Sequence, residues 1–150
     1  MKKIKYILVL LSLILFISGC TTERKLNCYM IETDIGTETE KSVSMHFIND
    51  KLTSADKIIK TKATTNVIKR SWDTYSKTLE EGYNLNQPTG ITLSINNDKE
   101  QYLFSATYNI DLTVVSSLDL QNSKIDEFIN PDLNFEEIIK GAIESGYTCE

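Results

Sequence analysis

A single histidine, His46, stands among 150 residues, with a single tryptophan and only three cysteines. Chemistry that needs two imidazoles is therefore excluded, and so is a zinc site built on several Cys and His ligands. Basic residues are also scarce: 16 Lys and Arg against 21 Asp and Glu, a formal charge of −5. Nucleic-acid binding needs a basic footprint to neutralise phosphates, which this chain lacks. There is no apolar run of 18 or more residues, the length expected of a membrane-crossing helix. The longest strongly apolar segment, Ile7–Ile17, has 11 residues and as a helix would reach about 16 Å, roughly half of a bilayer's hydrocarbon core. No G-x-S-x-G, Walker, dinucleotide-binding or zincin pattern occurs.

What is present divides sharply at residue 19. Residues 1–19 hold three lysines, no acid and 13 apolar side chains. The order is a basic start (Lys2, Lys3, Lys5), the apolar run, then Ile17-Ser18-Gly19-Cys20. A short basic segment followed by a short apolar one reads as a secretory signal. Small residues directly before a cysteine resemble the lipobox of bacterial lipoproteins, with Ile17 where leucine is commoner. That resemblance implies cleavage before Cys20 and a diacylglyceryl group on its thiol, so the chain is expected to be palmitate-type lipid-modified at Cys20. It also implies residence on the outer face of the cell membrane. Without the leader, 13 basic residues face 21 acidic ones, a net charge of −8. Residues 20–25 read as a short tether of about 20 Å at most, and 26–150 as one domain. Anionic lipids would repel such a domain, so the lipid must hold it in place.

An exported chain keeps disulfides, and Cys28 and Cys149 are expected to form one. Two inert buried thiols are the alternative. A Cys/Cys metal site would want ligands beyond His46.

The body of the chain shows two periods. Leu26–Thr33 is rich in β-formers. Val43, Met45 and Phe47 alternate with Ser42, Ser44 and His46, the mark of a half-buried strand. Asn49-Asp50-Lys51 reads as a tight turn, and Leu52–Lys62 as a third strand. Ile68, Trp72, Tyr75 and Leu79 then share one helical face, capped by Thr64 or Thr65 and ended by Gly82. Ile91, Leu93 and Ile95 alternate, as do Tyr102, Phe104, Ala106, Tyr108, Ile110 and Leu112. Between Thr113 and Pro131 the pattern weakens, with Ile125, Phe128 and Ile129 as packing residues. Asn134 and Glu137 form a capping-box pattern before the apolar face of Phe135, Ile138, Ile139, Ala142 and Ile143. The expectation is an α+β domain in the order β-β-β-α-β-β-α: about five mainly antiparallel strands with two helices on one face.

The lipobox, Leu26-Asn27-Cys28, Phe47-Ile48-Asn49-Asp50-Lys51 and the terminal Glu144-Ser145-Gly146-Tyr147-Thr148-Cys149 together resemble the small YehR-like lipoproteins of low-GC Gram-positive bacteria. The resemblance implies the same layout, anchor and cysteine pair, in a Gram-positive envelope. It supplies no catalytic residues.

His46 should face solvent beside Ser42 and Ser44. Glu32, Asp34, Glu38 and Glu40 surround a turn, lack the spacing of a calcium loop and read as a solvated acidic hairpin, with weak divalent-cation binding the alternative. Trp72 and Tyr75 read as core, and Tyr102, Phe104 and Tyr108 as core in preference to a ligand pocket. No catalytic, cofactor or metal residue is assigned. The expected role is a non-enzymatic binding or protein-interaction domain. A small-ligand or metal-binding lipoprotein linked to transport is the alternative, and a carboxylate hydrolase the third reading.

Overall fold

The computed structural model describes residues 21–83, 87–123 and 125–150. Cys20 and the leader lie outside them. Three long strands open the chain: β1 (Glu23–Asp34), β2 (Thr37–Ile48) and β3 (Lys51–Ala63). Two short turns join them. Asn49 and Asp50, both at positive φ, close β2 to β3. Gly36, at φ 89°, follows β1; a Cβ there would come within 2.6 Å of the Thr65 hydroxyl, so the turn needs glycine. Helices α1 (Asn66–Arg70) and α2 (Trp72–Tyr83) follow, then β4 (Ile91–Asp98), β5 (Leu103–Asp111), α3 (Ser117–Asn122), α4 (Phe135–Glu144) and β6 (Thr148–Cys149).

The strands form one sheet in the order β4-β5-β3-β2-β1-β6, and every neighbouring pair is antiparallel. Alternation along each strand sends one set of side chains inward. Leu26, Met45, Ala55, Ile110 and Ile91 stand in one cross-strand row, and all five are buried. They join Phe104, Trp72, Phe128, Ile129 and Ile138 in a single core. Phe135 of α4 packs edge-on against Phe47 of β2, with ring centroids 4.9 Å apart. Tyr83 of α2 stacks on Phe104 of β5 at 5.6 Å.

The mixed α+β class with an antiparallel sheet is as expected, but its parts differ in number. Among the described residues there are six strands, because Thr148 and Cys149 pair with Tyr29 and Cys28 at the outer edge of β1. The described residues hold four helices. The expected helix from Thr64 to Gly82 is two, broken at Ser71, whose hydroxyl donates to the carbonyls of Val67 and Ile68. Such back-bonding competes with helix continuation. Thr65 occupies the N-cap position without a side-chain bond, and Gly82 lies inside α2 instead of ending it. The capping box is present: Asn134 accepts from the Glu137 N–H at 3.0 Å, and Glu137 accepts from the Asn134 N–H at 2.9 Å. Ile143, read as part of the apolar face of α4, is exposed.

Candidate functional site

Cys28 and Cys149 are joined by a disulfide, their Cα atoms 4.0 Å apart. Backbone bonds between Asn27 and Glu150 run in both directions beside it, at 3.0 and 2.8 Å. The bridge thus sits inside a short antiparallel ladder. Both cysteines are committed to it.

The acidic quartet does not converge. Glu32 lies in phase with the core-facing residues of β1 and pairs with Lys41 at 2.8 Å. Asp34 accepts the N–H of Ile35. Glu38 and Glu40 are even-numbered residues of β2, out of phase with Val43, Met45 and Phe47, and stand on the opposite face beside Lys62 and Lys60. Among the described residues no group of three or more potential metal-ligating side chains gathers. His46 is exposed on that same opposite face, next to a bulge between His46 and Phe47. Trp72 is buried, its indole N–H donating to Asn97, which in turn donates to Ser76. Tyr75 and Tyr102 are partly buried around it, while Phe104 and Tyr108 are core.

Two features stand out once the fold is assembled. The first is the sheet face away from the core. Tyr29, Ser42, Ile58, Thr107 and Ser94 form one row across five strands, and Asn27, Ser44, Asp56, Asn109 and Thr92 the next. Short polar side chains dominate, tied by Ser44 to Asn27 at 3.0 Å and by Asn109 to Asp56 at 2.8 Å. At its β1 side Tyr29 and Ile31 are 48% and 63% exposed. Large apolar side chains at such exposure are a recognised feature of contact surfaces.

The second is a polar cluster inside the core. Lys57 is in phase with Ala55, Ile59, Thr61 and Ala63, and so points inward; its side chain is only 7% exposed. Burying an ammonium is costly without a partner. The partner is Asp126, at 2.6 Å, which also accepts the hydroxyl of Tyr147 at 3.2 Å. The Tyr147 phenol is held above its ordinary range, first by burial and then by the Asp126 charge, so it remains a donor. Tyr108, opposite Lys57 on β5, is pushed up to about 12 by burial and by Tyr83. Asp126 also faces a cleft of about 850 Å³, lined among others by Ser117, Gln121, Glu127, Asn130 and Ser145. These walls offer hydrogen bonds and carboxylates. Sequence reading missed this cluster. The in-phase lysine at 57 was the available signal; its partner lies far along the chain.

No protein-family model matches the chain, and no match to a curated protein was found. Its fold is similar to that in an NMR structure of a protein from Streptococcus pneumoniae TIGR4, with a TM-score of 0.56, 14% identity and 86% of each chain covered. At that identity the likeness concerns the fold alone.

Proposed function

We propose that this chain is a lipid-anchored, extracytoplasmic binding domain of the YehR-like kind, acting without catalysis and holding an envelope protein on its uncovered sheet face. On this reading residues 1–19 are the signal, Cys20 carries the lipid, and the folded part is one two-layer domain. Its helices occupy one side of the sheet, and the other side is left for a partner. The observation that carries the reading is that open face: six strands wide, with short polar side chains at its centre and Tyr29 and Ile31 exposed at one margin. Such a surface offers hydrogen bonds over a flat area, and Tyr29 supplies an exposed aromatic of the type enriched at protein contacts. The test is photo-crosslinking on intact cells with the probe at Ser44, and a control probe at Lys140 on the exposed side of α4. A discrete adduct from Ser44 alone supports the reading; none from Ser44, or equal adducts from both, rejects it.

The cleft beside Asp126 favours a second reading, a small polar ligand held between α3 and α4. A thermal-shift screen with metals, peptides and sugars separates the two. A stabilising ligand whose effect disappears in Asn130→Ala supports the cleft, and a flat screen rejects it.

A further inference from the structure

The way the chain enters the fold carries a consequence for the membrane itself. Thr22 is already paired: its N–H donates to the Asn49 side chain at 3.2 Å, and its carbonyl accepts the Asn49 N–H at 2.9 Å. Strand β1 begins one residue later, at Glu23, three residues earlier than its β-former pattern suggests. The slack between Cys20 and the fold is therefore two residues, about 7 Å when fully extended, instead of the six-residue tether read from the sequence. A headgroup layer is roughly 5–7 Å deep on each side of the hydrocarbon.

We infer that the β2–β3 end of the sheet is a lipid-contacting rim, and that the partner it meets is the bilayer surface around the acylated Cys20. This rests on the anchoring reading above. The rim is formed by Thr22 and the Ile48–Lys51 turn. The end of β5 reaches the same rim, because the Leu112 N–H bonds the Thr53 carbonyl and carries Val114 there. Ile48 and Val114 are exposed apolar side chains at this end. They sit among Thr22, Thr53 and Thr113 and five charged residues, Glu23, Arg24, Asp50, Lys51 and Asp111, of which Arg24 and Asp50 pair at 3.3 Å. The opposite end is the Asp34–Gly36 turn, with Ile35 94% exposed. The 12 residues of β1 separate the two ends by roughly 40 Å. The strands thus stand up from the membrane, and the open sheet face looks sideways along it.

The experiment uses the full chain, made with its leader in a lipoprotein-processing host and reconstituted in phosphatidylcholine vesicles carrying shallow doxyl-lipid quenchers. One sample bears a fluorophore on Lys51→Cys and another on Ile35→Cys, both exposed turn positions away from the core. The expected result is quenching several-fold stronger at position 51 than at 35, and loss of that difference when a flexible Gly/Ser insert separates Cys20 from Thr21. Equal quenching at both positions in protein whose Cys20 peptide carries acyl mass overturns the rim and leaves the anchor standing. Persistence of the difference with the insert overturns the short-tether argument. A Cys20 peptide without acyl mass overturns the anchoring reading, and the rim falls with it.

Discussion

Removing Asp126 should destabilise the domain more than removing the lysine it faces, and removing both should restore part of the loss. Lys57 is the more deeply buried partner, at 7% side-chain exposure against 23% for Asp126. In Asp126→Ala an ammonium remains inside the core, with the Tyr147 hydroxyl also deprived of its acceptor. Breaking a buried pair in this way costs about 3–5 kcal/mol. In Lys57→Met the residual charge is the carboxylate, which keeps a quarter of its surface in water and still accepts from Tyr147; the cost should be about 1 kcal/mol. The double variant has no stranded charge and should lie about 2 kcal/mol above Asp126→Ala. At about 4 °C per kcal/mol for a domain of this length, the order is a drop of some 12–20 °C for Asp126→Ala and some 4–12 °C for the double variant. Thermal and urea melts followed by circular dichroism measure it. A double variant no more stable than Asp126→Ala would refute the reasoning, because it would show that Lys57 carries no unpaired burial cost.

Other expectations follow from the same geometry. Replacing Cys28 and Cys149 by alanine frees a loop of 121 residues and should lower stability by up to about 5 kcal/mol on the chain-entropy account, read from the urea midpoint of oxidised wild type against the variant. Asn134→Ala removes the cap acceptor of α4 and should cost about 1 kcal/mol, with α4 amides exchanging faster with solvent; unchanged exchange would count against the cap. The Tyr108 phenol is raised from 10 to about 12 in the folded state, so its stabilising share is complete below pH 10 and lost as pH rises from 10 toward 12. Absorbance at 295 nm should show this tyrosine ionising late, with unfolding. All tyrosines titrating near pH 10 in an intact fold would contradict the burial.

Much of the fold was legible because its determinants are local. The alternation of Val43, Met45 and Phe47 gives the inward face of β2, and the same period through Phe104–Ile110 gives β5. The Asn134–Glu137 box lies within one helical turn. What escaped depends on partners remote in sequence or on geometry without a period. β6 has two residues and exists through its pairing with Cys28 and Tyr29. The break at Ser71 depends on a hydroxyl choosing backbone carbonyls, while Trp72 is pinned by Asn97 from another element. Lys57 reads as a surface lysine until Asp126 and Tyr147 are brought beside it. The acidic quartet looked like a cluster because a turn gathers it along the chain, yet pleating sends Glu32 to one face and Glu38 and Glu40 to the other.

The distribution of charge bears on how an anchored domain would stand. A net charge of −8 on residues 20–150 suggests repulsion from an anionic leaflet, but at physiological salt a charge is felt over only about 8 Å. What counts is therefore the rim, not the sum. There, Glu23, Asp50 and Asp111 stand against Arg24 and Lys51, one excess acid compared with eight over the whole of residues 20–150, so contact at this end is close to neutral. Leaning onto the helical side would bring Glu136, Glu137 and Glu144 of α4 toward the lipid, against Lys140 alone on that helix. Leaning onto the open face would press its polar side chains against headgroups and cover the surface proposed for a partner. On the proposed anchoring, repulsion would act as an orienting force instead of a detaching one: it would oppose tilt toward α4 and leave the rim seated. The contrast in quenching between positions 51 and 35 should accordingly grow when phosphatidylglycerol is added to the vesicles and shrink again in high salt. A contrast that falls on adding anionic lipid would show that the rim itself is repelled, and that neutrality at this end is not what seats it.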